Sequence, residues 1–205
     1  MALVAVATHV GLSSIGPAQA QTTPSIMELM APGPLEDISL GDDKAPVTII
    51  EYASMTCPHC AHFSENTFPE LKKRYIDTGK VRLIFREFPL DPLATAASML
   101  ARCGGKEKFF PMIETLFHQQ RDWVVQRPLP ALLAIAKQAG FTEQSFEKCL
   151  NDRKLQADIE ATRENAAKKL GVNSTPTFFI NGKVQRGGFE PEEMSKLIEP
   201  HLKAG

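Results

Sequence analysis

Hydrophobic and polar positions along the chain follow a strand period in some stretches and a helical period in others. Residues 47–53 (VTIIEYA) are β-branched and apolar on both alternating faces, which is typical of a central strand covered on both sides. Over residues 57–75 the apolar positions recur at helical spacing, and Pro69 predicts a kink within that helix. Thr78-Gly79 predicts a turn, and residues 81–85 predict a second strand. This part of the chain is therefore predicted as strand, helix, strand.

Residues 92–170 have helical patterns and no convincing strand. The predicted helices cover residues 92–103, 106–119, 130–139, 142–150 and 152–170. Two of them stop at Gly140 and Gly171, the residue type favoured just after a helix C-terminus. We therefore predict an inserted helical subdomain over residues 92–170, with Trp123 in its core.

A strand pattern returns near the C-terminus. Residues 177–180 and 183–185 flank Asn181-Gly182, which is a strong signal of a two-residue hairpin. A final helix then begins with a proline in its first turn and acidic residues near the positive end of its dipole. The segments on either side of the helical block, residues 46–91 and 171–205, are predicted to form one α/β domain.

The N-terminal residues differ in composition from the rest. Residues 1–20 lack Asp, Glu, Lys and Arg, and Ala18-Gln19-Ala20 has the small-x-small form of a cleavage site. We expect a secretory signal peptide there, and the alternative is a disordered tail. Residues 21–45 contain several Pro and Gly without a sustained period, so we predict an extended N-terminal segment and a fold that starts near Pro46.

Length and charge bound the classes of function. The chain has 205 residues, which is enough to bury a core without crosslinks. Its formal net charge is −1 and it has no basic block, so we expect no nucleic acid and no anionic membrane surface as a partner. The four cysteines are an even number, and their use depends on the redox compartment.

Cys57 and Cys60 lie where the predicted strand meets the predicted helix. Unpaired N–H groups and the positive dipole end at a helix N-terminus stabilise the Cys57 thiolate over the thiol. Residues three apart in a first helical turn share a face, so one sulfur can attack and the other can resolve through a small disulfide ring. The ring of His59, when protonated or donating its N–H, would lower the pKa of Cys57 further.

Two other uses of these cysteines follow from the residues alone. A C-x-x-C pair can supply half of a zinc site, but no second C-x-x-C or H-x3-H pair follows at the usual spacing. The two thiols could also be inert and buried. The strand-loop-helix context favours a redox motif over both alternatives.

The motif Cys57-Pro58-His59-Cys60 resembles the active-site motif of the DsbA family of thiol:disulfide oxidoreductases. The resemblance covers most of the chain and includes Glu51, residues 86–90 (REFPL) and residues 171–182 (GVNSTPTFFING). It implies an α/β protein, a thioredoxin fold interrupted by the inserted helical subdomain. It also implies a periplasmic, monomeric enzyme that donates its Cys57–Cys60 disulfide to reduced secreted proteins. A membrane-bound partner would reoxidise the pair, and no metal or other cofactor is implied.

The resemblance also implies roles for individual residues. Cys57 would be the sulfur that is attacked, Cys60 the resolving sulfur, and His59 the residue that stabilises the Cys57 thiolate, with Pro58 completing the motif. Glu51 lies on a strand predicted to be buried on both faces, where a carboxylate is costly. Either this strand end is solvated, or a raised pKa lets Glu51 relay protons near Cys60, as the matching acid of the family is thought to do.

Two further pairs carry expectations. In thioredoxin-like proteins the proline matching Pro176 is cis and packs against the active-site disulfide, and the residue before it, here Thr175, offers backbone groups to an extended substrate. Thr at this position replaces the Val of some family oxidases and also occurs in isomerases. Cys103 and Cys149 lie at helix ends, and a secreted chain favours a structural disulfide between them over two buried thiols. Some DsbA-like proteins have such a pair.

Two alternative functions stay open. A disulfide reductase or isomerase would share the fold, although isomerases usually have a dimerisation domain that this chain lacks room for. A metal-binding thioredoxin-like carrier would need further ligands, and only Met55, His59 and His62 lie close to Cys57 in sequence.

Overall fold

The computed structural model of the protein describes residues 24–187 and 189–203, so the predicted signal peptide of residues 1–20 lies outside the described residues. The strands in these residues are β1 (Ile38–Leu40), β2 (Val47–Ala53), β3 (Val81–Glu87), β4 (Thr177–Ile180) and β5 (Lys183–Arg186). They form a sheet of order β1-β3-β2-β4-β5. The neighbours β2 and β3 run parallel, and the other neighbouring pairs run antiparallel.

Helices cover both faces of this sheet. Helix α2 consists of the consecutive segments Pro58–His62, Phe63–Thr67, Phe68–Leu71 and Lys72–Ile76. The other helices in the described residues are α1 (Ile26–Met30), α3 (Pro92–Cys103), α4 (Lys106–His118), α5 (Gln120–Trp123), α6 (Pro128–Gln138), α7 (Glu143–Leu150), α8 (Arg153–Lys169) and α9 (Pro191–Leu202). The predicted thioredoxin fold with a helical insertion is confirmed.

Strand β2 occupies the middle of the sheet because its side chains are apolar on both faces. Ile49 faces the larger core, which α2, α9 and the inserted helices complete. Ile50 and Tyr52 face a smaller core on the other side, together with Leu29 of α1 and Ala166 of α8. Burying one such aliphatic side chain contributes roughly 1.5–3 kcal/mol, so a strand apolar on both faces gains most from a central position.

The predicted helix α2 is present, and it contains two π-helical segments that the sequence pattern does not predict. The segments Phe63–Thr67 and Lys72–Ile76 are π-helical. The N–H of Phe68 donates to the carbonyl of Phe63, five residues back, just before Pro69. Because Pro69 has no N–H to donate to the Glu65 carbonyl, the regular helical bonding is interrupted here, and a wider turn takes its place.

The prediction that residues 21–45 are an extended lead-in is wrong over their described part. Helix α1 begins with a capping box between Ser25 and Glu28. Strand β1 pairs antiparallel with β3, with Ile38 opposite Phe85. The fold therefore starts before Pro46, and a three-residue strand is too short to show a period in the sequence.

Strand β3 runs two residues beyond its predicted end because charged residues there are paired. Arg86 donates two hydrogen bonds of 2.8 Å to the Asp37 carboxylate. Glu87 has no exposed surface and accepts bonds of 2.5 and 2.8 Å from the Arg102 guanidinium. Bidentate pairing satisfies charges that would be costly if buried alone.

The predicted helices of residues 92–170 are confirmed, with small shifts. Helix α6 begins at Pro128 rather than residue 130, since proline fits the first position of a helix. Trp123 is fully buried, and its indole N–H donates to the Leu116 carbonyl at 2.7 Å. Helix α8 belongs to both parts of the molecule, with Ile159 in the larger core and Ala166 in the smaller one. None of the described helices has the length and apolar character needed to span a membrane.

Candidate active site

Cys57 is the N-cap residue of α2. Its backbone is extended, with φ −79° and ψ 120°, and Pro58 takes the first helical position. The Cys57 N–H donates to the Ser54 carbonyl at 3.1 Å, and the Cys57 carbonyl accepts from the Ala61 N–H at 3.1 Å. These bonds hold the Cys57 side chain at the helix N-terminus, where the following N–H groups have no helical partner.

The two cysteines of the motif differ in accessibility. Both are free thiols. Cys57 is 5% exposed and Cys60 is 0% exposed, while Pro58 and His59 between them are exposed. A thiol or thiolate of another protein can therefore approach Cys57 but not Cys60.

The pKa of Cys57 is lowered from 9.0 to about 5. The largest cause is a hydrogen bond from the Cys60 side chain, followed, among the groups that lower it, by the Thr175 side chain and the backbone N–H groups of Cys60 and His59. Partial burial acts in the opposite direction. Hydrogen bonds to the anion outweigh desolvation, so Cys57 is a thiolate at neutral pH.

The pKa of Cys60 moves the other way, well above 9.0. Burial is the largest cause, followed by the hydrogen bond that its thiol gives to Cys57 and by the negative charges of Cys57 and Glu51. At neutral pH the reduced pair therefore carries one proton, and this proton is on Cys60.

The predicted role of the His59 ring is not tested by the geometry of the site. The His59 side chain is exposed, and within the described residues its ring makes no hydrogen bond to Cys57. The backbone N–H of His59 does help to lower the pKa of Cys57. The role of the imidazole stays a prediction.

Glu51 is buried, at 4% exposure, so the solvated alternative does not fit its surroundings. Burial, with the nearby Cys57 charge, raises its pKa from 4.5 to about 8. Glu51 lines a narrow cavity of about 20 Å³ whose walls also include Ser64 and Glu114. This volume is enough for about one water molecule. At neutral pH the Glu51 carboxyl group is largely protonated.

Thr175 contacts Cys57, and the peptide bond between Thr175 and Pro176 is cis. The Cys57 thiol donates to the Thr175 carbonyl at 3.3 Å. The Thr175 hydroxyl oxygen is buried without another partner among the described residues, so it can donate to a Cys57 thiolate. Cys57 and Thr175 are 118 positions apart in the sequence, and the pairing of β2 with β4 brings them together.

Residues 54–57, the active-site turn, make hydrogen bonds that the sequence pattern does not predict. The Ser54 hydroxyl accepts from the Leu90 N–H at 3.2 Å and lies 3.2 Å from the Thr56 hydroxyl. Thr56 donates to Asp91 at 2.6 Å, and Asp91 also caps α3. Gln120 of α5 reaches the same turn. Serine, threonine and glutamine in these positions carry no sequence signal of a distant contact.

Cys103 and Cys149 are bonded to each other and lie far from this turn in the sequence. Their sulfurs are 2.12 Å apart and their Cα atoms 6.1 Å apart. The bond joins the last residue of α3 to the end of α7.

Among residues 24–187 and 189–203, no group of three or more His, Cys, Asp or Glu side chains could hold a metal ion.

Comparisons with known proteins agree with this geometry. The thioredoxin family profile matches residues 35–200. A crystal structure of Wolbachia pipientis alpha-DsbA1 is 37% identical, has a TM-score of 0.80, and is matched over 86% of this chain and 96% of that one. Disulfide bond formation protein D of Bacillus subtilis is 30% identical over 169 residues, which is 80% of this chain and 76% of that protein.

Rickettsia relatives named as protein-disulfide oxidoreductases are longer. The one from Rickettsia prowazekii is 37% identical over 168 residues, which is 81% of this chain but 61% of that protein. The chain thus spans about 60% of the length of these relatives. Since the family profile covers most of the chain and the cysteine pair, cis-proline and helical insertion are all in place, the chain belongs to the thioredoxin family as a DsbA-like member.

Proposed function

We propose that the protein is a thiol:disulfide oxidoreductase that donates a Cys57–Cys60 disulfide to reduced proteins. The observation that carries this proposal is the opposite displacement of two neighbouring thiol pKa values, to about 5 for the accessible Cys57 and well above 9.0 for the buried Cys60. These pKa values stabilise the reduced form relative to the disulfide form, because the Cys57 thiolate exists only after the disulfide has been reduced.

The reaction begins on the oxidised protein. A substrate thiolate attacks Cys57 Sγ, the Cys57–Cys60 bond breaks, and Cys60 leaves with the electron pair. A second substrate thiolate then attacks the substrate sulfur of the mixed disulfide and expels Cys57 as a thiolate. The substrate loses two electrons and gains a disulfide, while the protein gains both electrons as one thiolate and one thiol. A thiolate of low pKa leaves readily, which favours the second step.

Cys60 needs a proton when it leaves, since its pKa is high. Glu51 is protonated at neutral pH and shifts the pKa of Cys60 through its charge, so the two groups are close enough to interact. We propose that Glu51 gives this proton and is recharged through the cavity beside Ser64 and Glu114. The proton transfer neutralises the Cys60 sulfur and leaves a Glu51 carboxylate, which returns to its neutral form when water in the cavity supplies a proton.

The proposed substrate class follows from the groups next to Cys57. Thr175, at the start of the cis-proline segment, can offer backbone groups to an extended chain, and its carbonyl lies 3.3 Å from the Cys57 sulfur. An extended substrate backbone that pairs here would bring its cysteine to Cys57, whatever the sequence around that cysteine. We propose reduced, incompletely folded secreted proteins as substrates.

Location and partners form part of the same proposal. A disulfide donor needs an oxidising compartment, so we propose that the protein works outside the cytoplasm, in the periplasm. After each cycle the two thiols must lose two electrons, and we propose a membrane-bound oxidant as their acceptor. We also propose that the protein acts as a monomer.

Direction of transfer is the decisive measurement. Oxidised protein mixed with a reduced two-cysteine peptide should convert the peptide to its disulfide, followed by mass, while a scrambled-disulfide substrate should be rearranged only slowly. A Cys57→Ala variant should lose transfer entirely, and a Cys103→Ala/Cys149→Ala variant should keep it. Rapid rearrangement of the scrambled substrate would favour an isomerase, and a Cys57–Cys60 disulfide more stable than glutathione disulfide would favour a reductase.

Selective labelling tests the roles of the two sulfurs. Alkylation of the reduced protein at pH 6 should modify Cys57 first, because this pH lies above its pKa of about 5 and below that of Cys60. Peptide mass mapping gives the order of labelling. Labelling of Cys60 before Cys57 would contradict the assignment.

A further inference from the structure

A side chain from the inserted helices makes direct contact with the active-site turn. The Gln120 side-chain nitrogen donates to the Met55 carbonyl at 2.8 Å and to the Cys57 carbonyl at 3.1 Å. Gln120 is 8% exposed, so water does not compete strongly for these bonds. One amide group therefore bridges two carbonyls, 65 and 63 residues away in the sequence, on either side of Thr56.

The bridged segment decides where Cys57 Sγ lies. The Cys57 N–H is bonded to Ser54, and the Cys57 carbonyl accepts the first bond of α2 from Ala61. Gln120 adds a bond to that same Cys57 carbonyl and one to the carbonyl two residues earlier. With both peptide groups fixed, the Cys57 side chain is held at the angle at which the N–H groups of α2 can reach its sulfur.

Gln120 also affects the electrostatic potential at the Cys57 sulfur. The carbonyl oxygens of Met55 and Cys57 carry partial negative charge close to a thiolate, which disfavours the anion. Two N–H donors directed at these oxygens offset part of that charge. Loss of the donors would therefore disfavour the thiolate both by loosening the turn and by leaving the carbonyl dipoles uncompensated.

The helix that carries Gln120 is itself held firmly. Trp123, at the other end of this four-residue helix, has no exposed surface and is hydrogen-bonded to Leu116 of α4. The Val124 N–H donates to the Gln120 carbonyl at 2.9 Å. The amide group is thus presented from a rigid support, which is what a positioning contact requires.

We propose that Gln120 is a positioning residue for Cys57, through which the inserted helices hold the active-site turn in the conformation that stabilises the Cys57 thiolate. The inference rests on the proposed function, since it concerns the same sulfur. It assigns to the helical insertion a direct part in setting the oxidising strength of the pair, in addition to covering the core.

The test compares three variants of the reduced, full-length protein. Gln120→Met keeps the length of the side chain and removes its hydrogen bonds. Gln119→Met changes the neighbouring glutamine, whose side chain makes no hydrogen bond to the turn among the described residues. Ile135→Val removes one buried methyl group from the same subdomain, away from the turn, and controls for a general loss of stability. The readouts are the Cys57 pKa from thiolate absorbance and the equilibrium with glutathione.

Gln120→Met should raise the Cys57 pKa by about half a pH unit and shift the glutathione equilibrium about threefold towards the disulfide form, as expected for losing one net hydrogen bond. Gln119→Met and Ile135→Val should leave both quantities at the wild-type value. The proposal is overturned if Gln120→Met lowers the melting temperatures of the oxidised and reduced forms equally and leaves the Cys57 pKa unchanged.

A measurement on the unaltered protein covers the case in which Gln120→Met does not fold. The side-chain amide signals of Gln120 in an NMR titration should move with the same midpoint as Cys57. Signals that stay constant through that midpoint would also overturn the proposal. If wild-type Cys57 itself has an ordinary thiol pKa, the proposed function fails instead, so the two failures are distinguishable.

Discussion

The chain contains two cysteine pairs whose surroundings differ in almost every respect. Cys57 and Cys60 are separated by two residues at the start of one helix, whereas Cys103 and Cys149 are 46 residues apart and link two helices of the insertion. The first pair is two free thiols and the second is bonded. Both pairs consist of cysteine side chains, so the difference in their redox behaviour must come from their positions in the fold.

Position acts on the first pair through hydrogen bonds to the reduced state. N–H groups of α2, the Thr175 hydroxyl and the Cys60 thiol all favour a Cys57 thiolate, which a disulfide does not contain. Position acts on the second pair through the unfolded state, because a bond that closes a long loop removes conformations from the unfolded chain. The first arrangement makes a disulfide reactive, and the second makes a disulfide persistent.

The largest expected effect on stability comes from removing the persistent bond. A Cys103→Ala/Cys149→Ala variant should lose about 4 kcal/mol of unfolding free energy, the loop-entropy value for a 46-residue separation. Denaturant unfolding measures this loss. Disulfide transfer to a peptide at 25 °C should continue at close to the wild-type rate. A variant that keeps its stability but loses transfer would reverse the roles assigned to the two pairs.

At pH 7 the redox state of the first pair should have a smaller effect on stability than removal of the second disulfide, and this effect should depend on pH in a defined way. The Cys57 pKa is about 5 in the folded protein against 9.0 for an ordinary thiol. The thiolate therefore adds its full stabilisation above pH 9, and this is lost as the pH falls through 5. Between these limits the stability of the reduced form should rise by about 1.4 kcal/mol per pH unit relative to the oxidised form.

Comparing the two redox forms at each pH also removes the part of the Glu51 contribution that comes from burial, which is the largest cause of its raised pKa. Its pKa is raised from 4.5 to about 8, so its stabilising contribution is present below pH 4.5 and is lost as the pH rises through 8, opposite in sign to Cys57. Both forms contain Glu51, and Glu51→Gln should remove this opposing slope from each. Melting temperatures of both forms from pH 5 to pH 8 check the prediction. A melting temperature that is higher for the oxidised form at pH 8 would contradict the proposed direction of transfer.

Much of the fold could be predicted from the sequence because its signals are local. The apolar run of residues 47–53, the Asn181-Gly182 hairpin and the proline that opens α9 each depend on a few neighbouring residues. The C-x-x-C motif and its place before a helix are local as well. These features correctly predict the central strand, the C-terminal hairpin and the position of Cys57.

Features that depend on distant partners could not be predicted in this way. Strand β1 has three residues and forms because β3 presents a free edge, which no local period records. Gln119 and Gln120 have the same side chain and are adjacent, yet only the second is directed at the active-site turn. The buried Glu87 needs Arg102 from a later helix. In each case the partner is supplied by tertiary packing.

The smallest expected effect is that of His59 on the Cys57 pKa. At this residue the contribution of the backbone N–H can be separated from that of the imidazole ring. His59→Ala removes the exposed ring but keeps the backbone N–H that helps to stabilise the Cys57 thiolate. An exposed imidazole acts on the sulfur only through solvent, where about 0.15 M salt screens charges over roughly 8 Å. The Cys57 pKa should therefore rise by less than about one unit, and the rise should become smaller as salt is added.

His62→Ala provides a matched control for that substitution, since its ring lies on the same helix but is 3.6 Å from the Glu190 carboxylate. Thiolate absorbance of the reduced variants at low and high salt gives the Cys57 pKa in each case. A rise of more than one unit that persists at high salt would mean that the His59 ring bonds the thiolate directly. No change at either salt concentration would remove the imidazole from the mechanism and leave the main-chain N–H groups, the Thr175 hydroxyl and Cys60 to stabilise Cys57. The first pair would then depend on the backbone of its helix, whereas the second pair depends on the length of the loop that it closes.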